Sequence, residues 1–199
     1  MGGKLLLATN NQGKLREYKS LLQKIPYELI TLAEQGIIAE VSEVGGSLEE
    51  NARLKATVIA DQSQLLTLAD DSGLEVDALG GEPGPLSARY AGEGASDRDR
   101  VNYLLSRLEG VPWEKRTARF RCVIAVATPN GKAEICSGEC QGFITFKPRG
   151  KHGFGYDPIF YLPELGKTMA ELPLSLKNHV SHRGHAARKA YQLLERLRK

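Results

Sequence analysis

Short apolar runs that alternate with apolar stripes at helical spacing constrain this chain more than any other feature. The first run is Lys4–Ala8, after which Leu15, Tyr18, Leu21, Leu22 and Ile25 recur at helical spacing until Pro26 ends the pattern. Tyr27–Leu32 reads as a second strand. Ser47-Leu48-Glu49-Glu50 is a capping-box pattern, and Leu48, Ala52, Ala56, Ile59 and Ala60 continue it as a helix. Leu65–Ala69 reads as a third, buried strand that delivers Asp70 and Asp71 at its end. Strand, helix, strand, helix, strand is the rhythm of an α/β sheet.

The second half keeps the alternation but changes its proportions. Leu79–Ser87 is rich in glycine and proline and reads as a loop. Ser96 and Asp97 suit the start of a helix whose Val101, Leu104, Leu105 and Leu108 form one stripe. Phe120–Thr128 and Ala133–Phe146 flank Pro129-Asn130-Gly131, where the Asn-Gly pair signals a hairpin. Gly150–Asp157 is glycine-rich, Pro158–Leu162 is apolar, and a last helix from about Arg183 carries Ala187, Ala190, Tyr191, Leu194 and Leu197. No internal repeat or long linker divides the 199 residues, so the expectation is a single domain over 1–199. Its fold class is α/β, a mixed twisted sheet flanked by helices, with the long hairpin making one of two lobes around a central cleft.

Composition narrows the functional classes. Hydrophobic residues make up 41% and charged residues 26%, ordinary values for a globular chain. No segment approaches the ~20 consecutive apolar residues of a membrane span, and the run in MGGKLLLATNN falls short of the ~7–15 residues of a secretory signal core. The expected location is cytoplasmic, in keeping with the three cysteines Cys122, Cys136 and Cys140, which read as strand residues without a second metal-ligand pair. The net charge is +3, and Arg188, Lys189, Arg196, Arg198 and Lys199 make the last helix basic. Without interleaved aromatics such an end reads as a solvated face, so no nucleic-acid partner is expected.

Four clusters carry chemistry. Thr9-Asn10-Asn11-Gln12-Gly13-Lys14 links the first strand to the first helix and offers amide, hydroxyl and ammonium donors suited to phosphate oxygens. Thr9 or Asn10 capping the helix, with Lys14 a surface charge, is the plainer alternative. Asp70 and Asp71, as adjacent carboxylates, are a natural Mg²⁺ site that would relieve their repulsion; Glu40 and Glu43 could add an oxygen. The alternative there is a solvated turn at Ser72-Gly73. In Lys151–Pro158 glycines flank Phe154 and Tyr156, a setting in which rings stack on a flat ligand for ~1–3 kcal/mol. Lys177 and Ser181-His182-Arg183 group donors near the last helix, and no nucleophile–base couple is evident.

Together, TNNQGK, LADDSGLEVDALGGEPGPLSARYAGE, ARFRC, GFGYDPIF and SHRGHAARK resemble the Ham1/RdgB-type inosine triphosphate pyrophosphatases, or XTP/dITP diphosphatases, in order over nearly the whole chain. The resemblance implies a nucleotide-binding cleft and Mg²⁺-dependent hydrolysis of ITP, dITP and XTP to the monophosphate and pyrophosphate, by a homodimer. It implies that Thr9, Asn10, Asn11, Gln12, Gly13 and Lys14 hold the triphosphate with help from Lys55. Asp71 would be the catalytic acid or base, and Ser72 a substrate contact beside it. Phe154, Gly155, Tyr156 and Asp157 would line the base pocket, completed by Lys177, His182 and Arg183. Metal ligands would be Asp71, Asp70 and Glu43, with Glu40 as the fallback. Asn11 stands where glycine is also common in the family, a difference expected to matter little. Two other functions fit less of the sequence: a Maf-like pyrophosphatase acting on pyrimidine or modified nucleotides, and a non-catalytic nucleotide or RNA binder.

Overall fold

Strand alternation decides what packs where. The structure, a computed structural model, describes residues 3–38 and 46–198. In β1 (Lys4–Leu7), Leu5 and Leu7 turn to one face and Leu6 to the other. β1 pairs in parallel with β2 (Glu28–Thr31) and with the first residues of β3 (Leu66–Val76). Parallel neighbours require crossovers, which α1 (Gln12–Leu21) and α2 (Leu48–Ser63) provide.

The chain forms two compact units. The first comprises Met1–Asp71, Cys122–Gly138 and Arg183–Lys199; the second comprises Ser72–Arg121 and Glu139–His182. In the first, Leu5, Leu7 and Leu68 pack with Tyr18 of α1 and with Ala186, Ala190, Leu193 and Leu194 of α5 (His182–Leu197). On the opposite face Leu6 and Ala69 meet Leu48, Ala52, Ala56, Ile59 and Ala60 of α2. In the second, α3 (Asp97–Arg107) sets Val101 and Leu104 against Leu74, Val76, Phe120, Ile144 and Phe160, and α4 (Leu174–Val180) adds Leu176 and Val180. The end of α3 is tied down by Arg116, whose guanidinium donates to the carbonyls of Leu108, Val111 and Thr145 at 2.7, 3.0 and 3.1 Å.

The hydrogen-bonded strand order is β2-β1-β3-β5-β6-β7-β8, with β4 (Pro83–Gly84) on β3. Here β5 is Thr117–Ala127, β6 Ala133–Ile144, β7 Phe160–Leu162 and β8 Lys167–Thr168. Both β7 pairings are antiparallel, so the sheet is mixed. β5 and β6 are sheet neighbours joined by the short connection 128–132, in which Asn130 takes φ 54°, as the Asn-Gly signal predicts.

One expected boundary is wrong in an informative way. β3 does not end at the aspartates but runs through Asp70-Asp71-Ser72-Gly73 to Val76. Gly73 serves close approach, since a Cβ there would lie 2.3 Å from the Gly84 carbonyl oxygen on the paired β4. The capping box at α2 closes halfway: Ser47 accepts from the Glu50 amide at 3.2 Å, but the Glu50 carboxylate turns to the Gly46 amide at 2.8 Å.

Candidate active site

α1 begins just beyond β1. Asn11 is its cap, accepting from the Lys14 amide at 3.0 Å, while Thr9 Oγ1 accepts from the Asn11 amide at 3.2 Å. Neither Thr9 nor Asn10 caps the helix, and the identity of residue 11 matters more than expected, because its side chain makes the cap bond. Asn10, Asn11 and Gln12 are exposed, Gly13 is buried, and the first turn holds no acidic residue to oppose the positive end of the helix dipole. That setting suits an anion.

Because successive strand residues point to opposite faces, Asp70 and Asp71 do not confront each other. Asp70 turns toward α1 and α5. Its Oδ1 lies 3.0 Å from Lys14 Nζ and its Oδ2 3.5 Å from Arg183 Nε, while Arg183 Nη1 reaches Glu17 Oε2 at 2.6 Å. Cys122 Sγ donates to Asp70 Oδ2 at 3.8 Å and stands 3.7 Å from the Tyr18 hydroxyl. Asp70 is 2% exposed and Arg183 1%. Burial by itself would raise the Asp70 pKa, but Lys14, Arg183 and Lys55 outweigh it and hold the carboxyl below its usual range. The relief that the sequence suggested from a divalent cation is supplied at Asp70 by the protein's own cations.

Asp71 turns toward α2. Its Oδ2 accepts from Asn51 Nδ2 at 2.9 Å, and Lys55 Nζ lies 3.7 Å from its Oδ1 while donating to the Asp70 carbonyl at 3.1 Å. Asn51 and Lys55 are one helical turn apart, so one face of α2 serves both. Among the described residues no group of three or more His, Cys, Asp or Glu forms a metal cage. Glu40 and Glu43 lie outside the described residues. The donor chemistry separates the two aspartates by degree: the Asp70 oxygens face an ammonium at 3.0 Å and a guanidinium at 3.5 Å, whereas Asp71 has a neutral amide at 2.9 Å and the Lys55 ammonium farther off, at 3.7 Å. Mg²⁺ that is shared with substrate phosphates needs one or two carboxylates, which Asp71 fits and Asp70 does not.

The second unit carries the aromatic turn. The Phe154 amide donates to Asp157 Oδ2 at 2.9 Å, Asp157 is ion-paired with buried Lys177, and the Lys177 ammonium stands 4.8 Å from the Phe154 ring centroid. Gly153 takes φ 75°, and a Cβ there would meet the Asp157 carboxylate at 2.0 Å, so glycine is required. Tyr156 is no stacking platform: it belongs to the core, and its hydroxyl donates to the Ser87 carbonyl at 2.9 Å. His182 stacks on Phe120, with centroids 4.6 Å apart and planes at 15°. The Arg183 guanidinium pairs with Glu17 and Asp70 in the first unit.

The model of the Ham1 family matches residues 5–193. This chain belongs to the Ham1 family. Among relatives, it is 51% identical over 194 residues to the dITP/XTP pyrophosphatase of Desulforamulus reducens, covering 98% of this chain and 96% of that one. With the dITP/XTP pyrophosphatase of Geobacter sulfurreducens it shares 55% identity over 183 residues, 92% of each chain. Among solved structures, a HAM1 protein from Coxiella burnetii superposes with a TM-score of 0.88 at 42% identity, covering 97% of this chain and 98% of that chain. The fold is thus that of Ham1 proteins. Within this Ham1-family chain, sequence reasoning passed over Glu17 and Asn51, which contact Arg183 and Asp71. A signal existed for Asn51, a polar residue buried beside the apolar stripe of α2; Glu17, next to Tyr18 in α1, carried none.

Proposed function

We propose that this Ham1-family chain hydrolyses deaminated purine nucleoside triphosphates (ITP, dITP and XTP) to the nucleoside monophosphate and pyrophosphate. The observation that carries this is a cation beside each of two adjacent strand carboxylates: Lys55 from α2 beside Asp71, and Lys14 from the N-terminal turn of α1 beside Asp70. The names of the relatives in Desulforamulus and Geobacter support the substrate class.

Residues Thr9–Lys14 and Lys55 hold the triphosphate, and Asp71 takes a proton from the water that attacks the α-phosphorus. The bond from that phosphorus to the bridging oxygen breaks, and Lys14 and the α1 amides stabilise the charge that collects on leaving pyrophosphate. Asp71, with Glu43 or Glu40, would hold Mg²⁺, which when bound lowers the pKa of water and neutralises phosphate charge. Phe154 stacks on the base. The 6-oxo group accepts from a donor of the second unit, Lys177 or His182, where the amino group of adenine would set donor against donor, a mismatch worth up to ~10⁴-fold. A homodimer and a cytoplasmic location complete the proposal.

The test is a panel of ITP, XTP, GTP, ATP and UTP with pyrophosphate detection, with and without Mg²⁺. Release of pyrophosphate from ITP and XTP, abolished by chelation, is expected; release of inorganic phosphate alone would refute the cleavage site. Asp71→Asn should lower kcat at least ~10²-fold at saturating Mg²⁺ while the protein stays folded.

A further inference from the structure

We infer that Asp97 is a specificity-determining positioning residue that sets the Phe154–Asp157 turn for the substrate base; this rests on the proposed activity. α3 does not need Asp97 for its own start, since Ser96 accepts from the Asp99 amide at 3.2 Å and Asp99 accepts from the Ser96 amide at 3.0 Å, closing a full capping box. The Asp97 carboxylate is directed elsewhere. Its Oδ2 accepts from the Gly155 amide at 2.7 Å and its Oδ1 pairs with Arg100, which donates to the carbonyls of Ala88 and Ala95 at 2.9 and 2.5 Å.

The position of Gly155 gives that bond its meaning. The two peptide planes on either side of Phe154 present the Phe154 and Gly155 amides. The first is held by Asp157 and the second by Asp97. With both planes fixed, the backbone torsions of Phe154 are fixed, which orients its Cα–Cβ bond and restricts the rotamers open to the ring. Gly155 takes φ 60°, and because glycine has no Cβ other backbone conformations are open to it when the acceptor is lost. The Asp97 side chain is 47% exposed, and Arg100, 18% exposed, keeps its bonds to the Ala88 and Ala95 carbonyls, so removing Asp97 should leave the fold intact.

Kinetics of Asp97→Ala and Asp97→Asn with ITP and ATP, alongside inhibition by tripolyphosphate, which has no base, test the inference. In Asp97→Ala the KM for ITP should rise about tenfold with kcat changed by less than about twofold, and the preference for ITP over ATP should fall about tenfold. The Ki of tripolyphosphate should stay within about twofold of wild type, because the triphosphate groups are untouched. Asp97→Asn keeps an acceptor for Gly155 and should return to within about threefold of wild type. An unchanged KM and preference in Asp97→Ala, an equal shift for tripolyphosphate, or an Asn variant no better than Ala would overturn the assignment. A wild-type enzyme without ITP turnover would overturn the proposed activity and the inference together, whereas an active wild type with an unaffected Ala variant overturns the inference alone.

Discussion

Asp70 and Asp71 are the same side chain in consecutive positions, yet their surroundings assign them different work. Asp70 sits with Glu17, Lys14 and Arg183, two negative and two positive groups almost out of water. Asp70→Asn leaves the buried Arg183 and Lys14 in excess, and the expected loss is about 3–5 kcal/mol of unfolding free energy in urea. Asp71→Asn replaces a carboxylate held by a neutral amide and a lysine 3.7 Å away, and should shift stability by about 1 kcal/mol or less. Cys122, in the same cluster, has its thiol pushed up to about 12 by burial and by the Asp70 charge. The folded state therefore keeps a proton that the unfolded chain releases near ~8.5. Its contribution is intact below that pH and declines by ~1.4 kcal/mol per unit as pH rises toward the folded value. Between pH 8.5 and 10 the stability of the wild type should fall about 2 kcal/mol further than that of Cys122→Ala, measured by urea unfolding at each pH.

At the level of elements, stripes were legible, caps in part, and strand ends were not. The stripes in α1, α2, α3 and α5 and the Asn-Gly hairpin predict elements that the structure contains. Ser96 illustrates why: helix starts depend on bonds between residues three apart, so the signal lies within a few letters. Ser96→Ala should remove the α3 box and cost about 1 kcal/mol in thermal or urea unfolding. The sequence predicts a strand that ends at Ala69, since aspartate and glycine have poor strand propensity, whereas β3 runs to Val76. What overrides propensity is tertiary: cations and an amide from α1, α2 and α5 receive the aspartates, and β4 covers Gly73. α4, at 7 residues, is too short to show a stripe and left no trace in the sequence.

For the whole molecule, chain order and unit membership diverge. The backbone passes from one unit to the other at 71/72, 121/122, 138/139 and 182/183, so neither unit is a continuous segment. That explains how much of the site could be read from sequence. Motifs singled out the 9–14 loop, the aspartates and the aromatic turn, but partners such as Glu17 and Arg183, 166 residues apart, pair only through the fold. Consecutive letters also conceal separate contacts: His182 stacks on Phe120, and Arg183 pairs with Glu17. A chain truncated after His182 should show no hydrogen-exchange protection at the β1 amides, because Leu5 and Leu7 lose Ala186, Ala190, Leu193 and Leu194 as packing partners.

The position of α5 bears on synthesis. A nascent chain emerges from the ribosome in order, and while residues 183–197 are still in the tunnel, Glu17 and Asp70 have no guanidinium and one face of β1 has no cover. The first unit can close only when α5 arrives. A prematurely stopped polypeptide is thereby left without the Arg183 guanidinium and with bare leucines, exposed apolar surface of the kind that proteases and chaperones recognise in an unfinished protein.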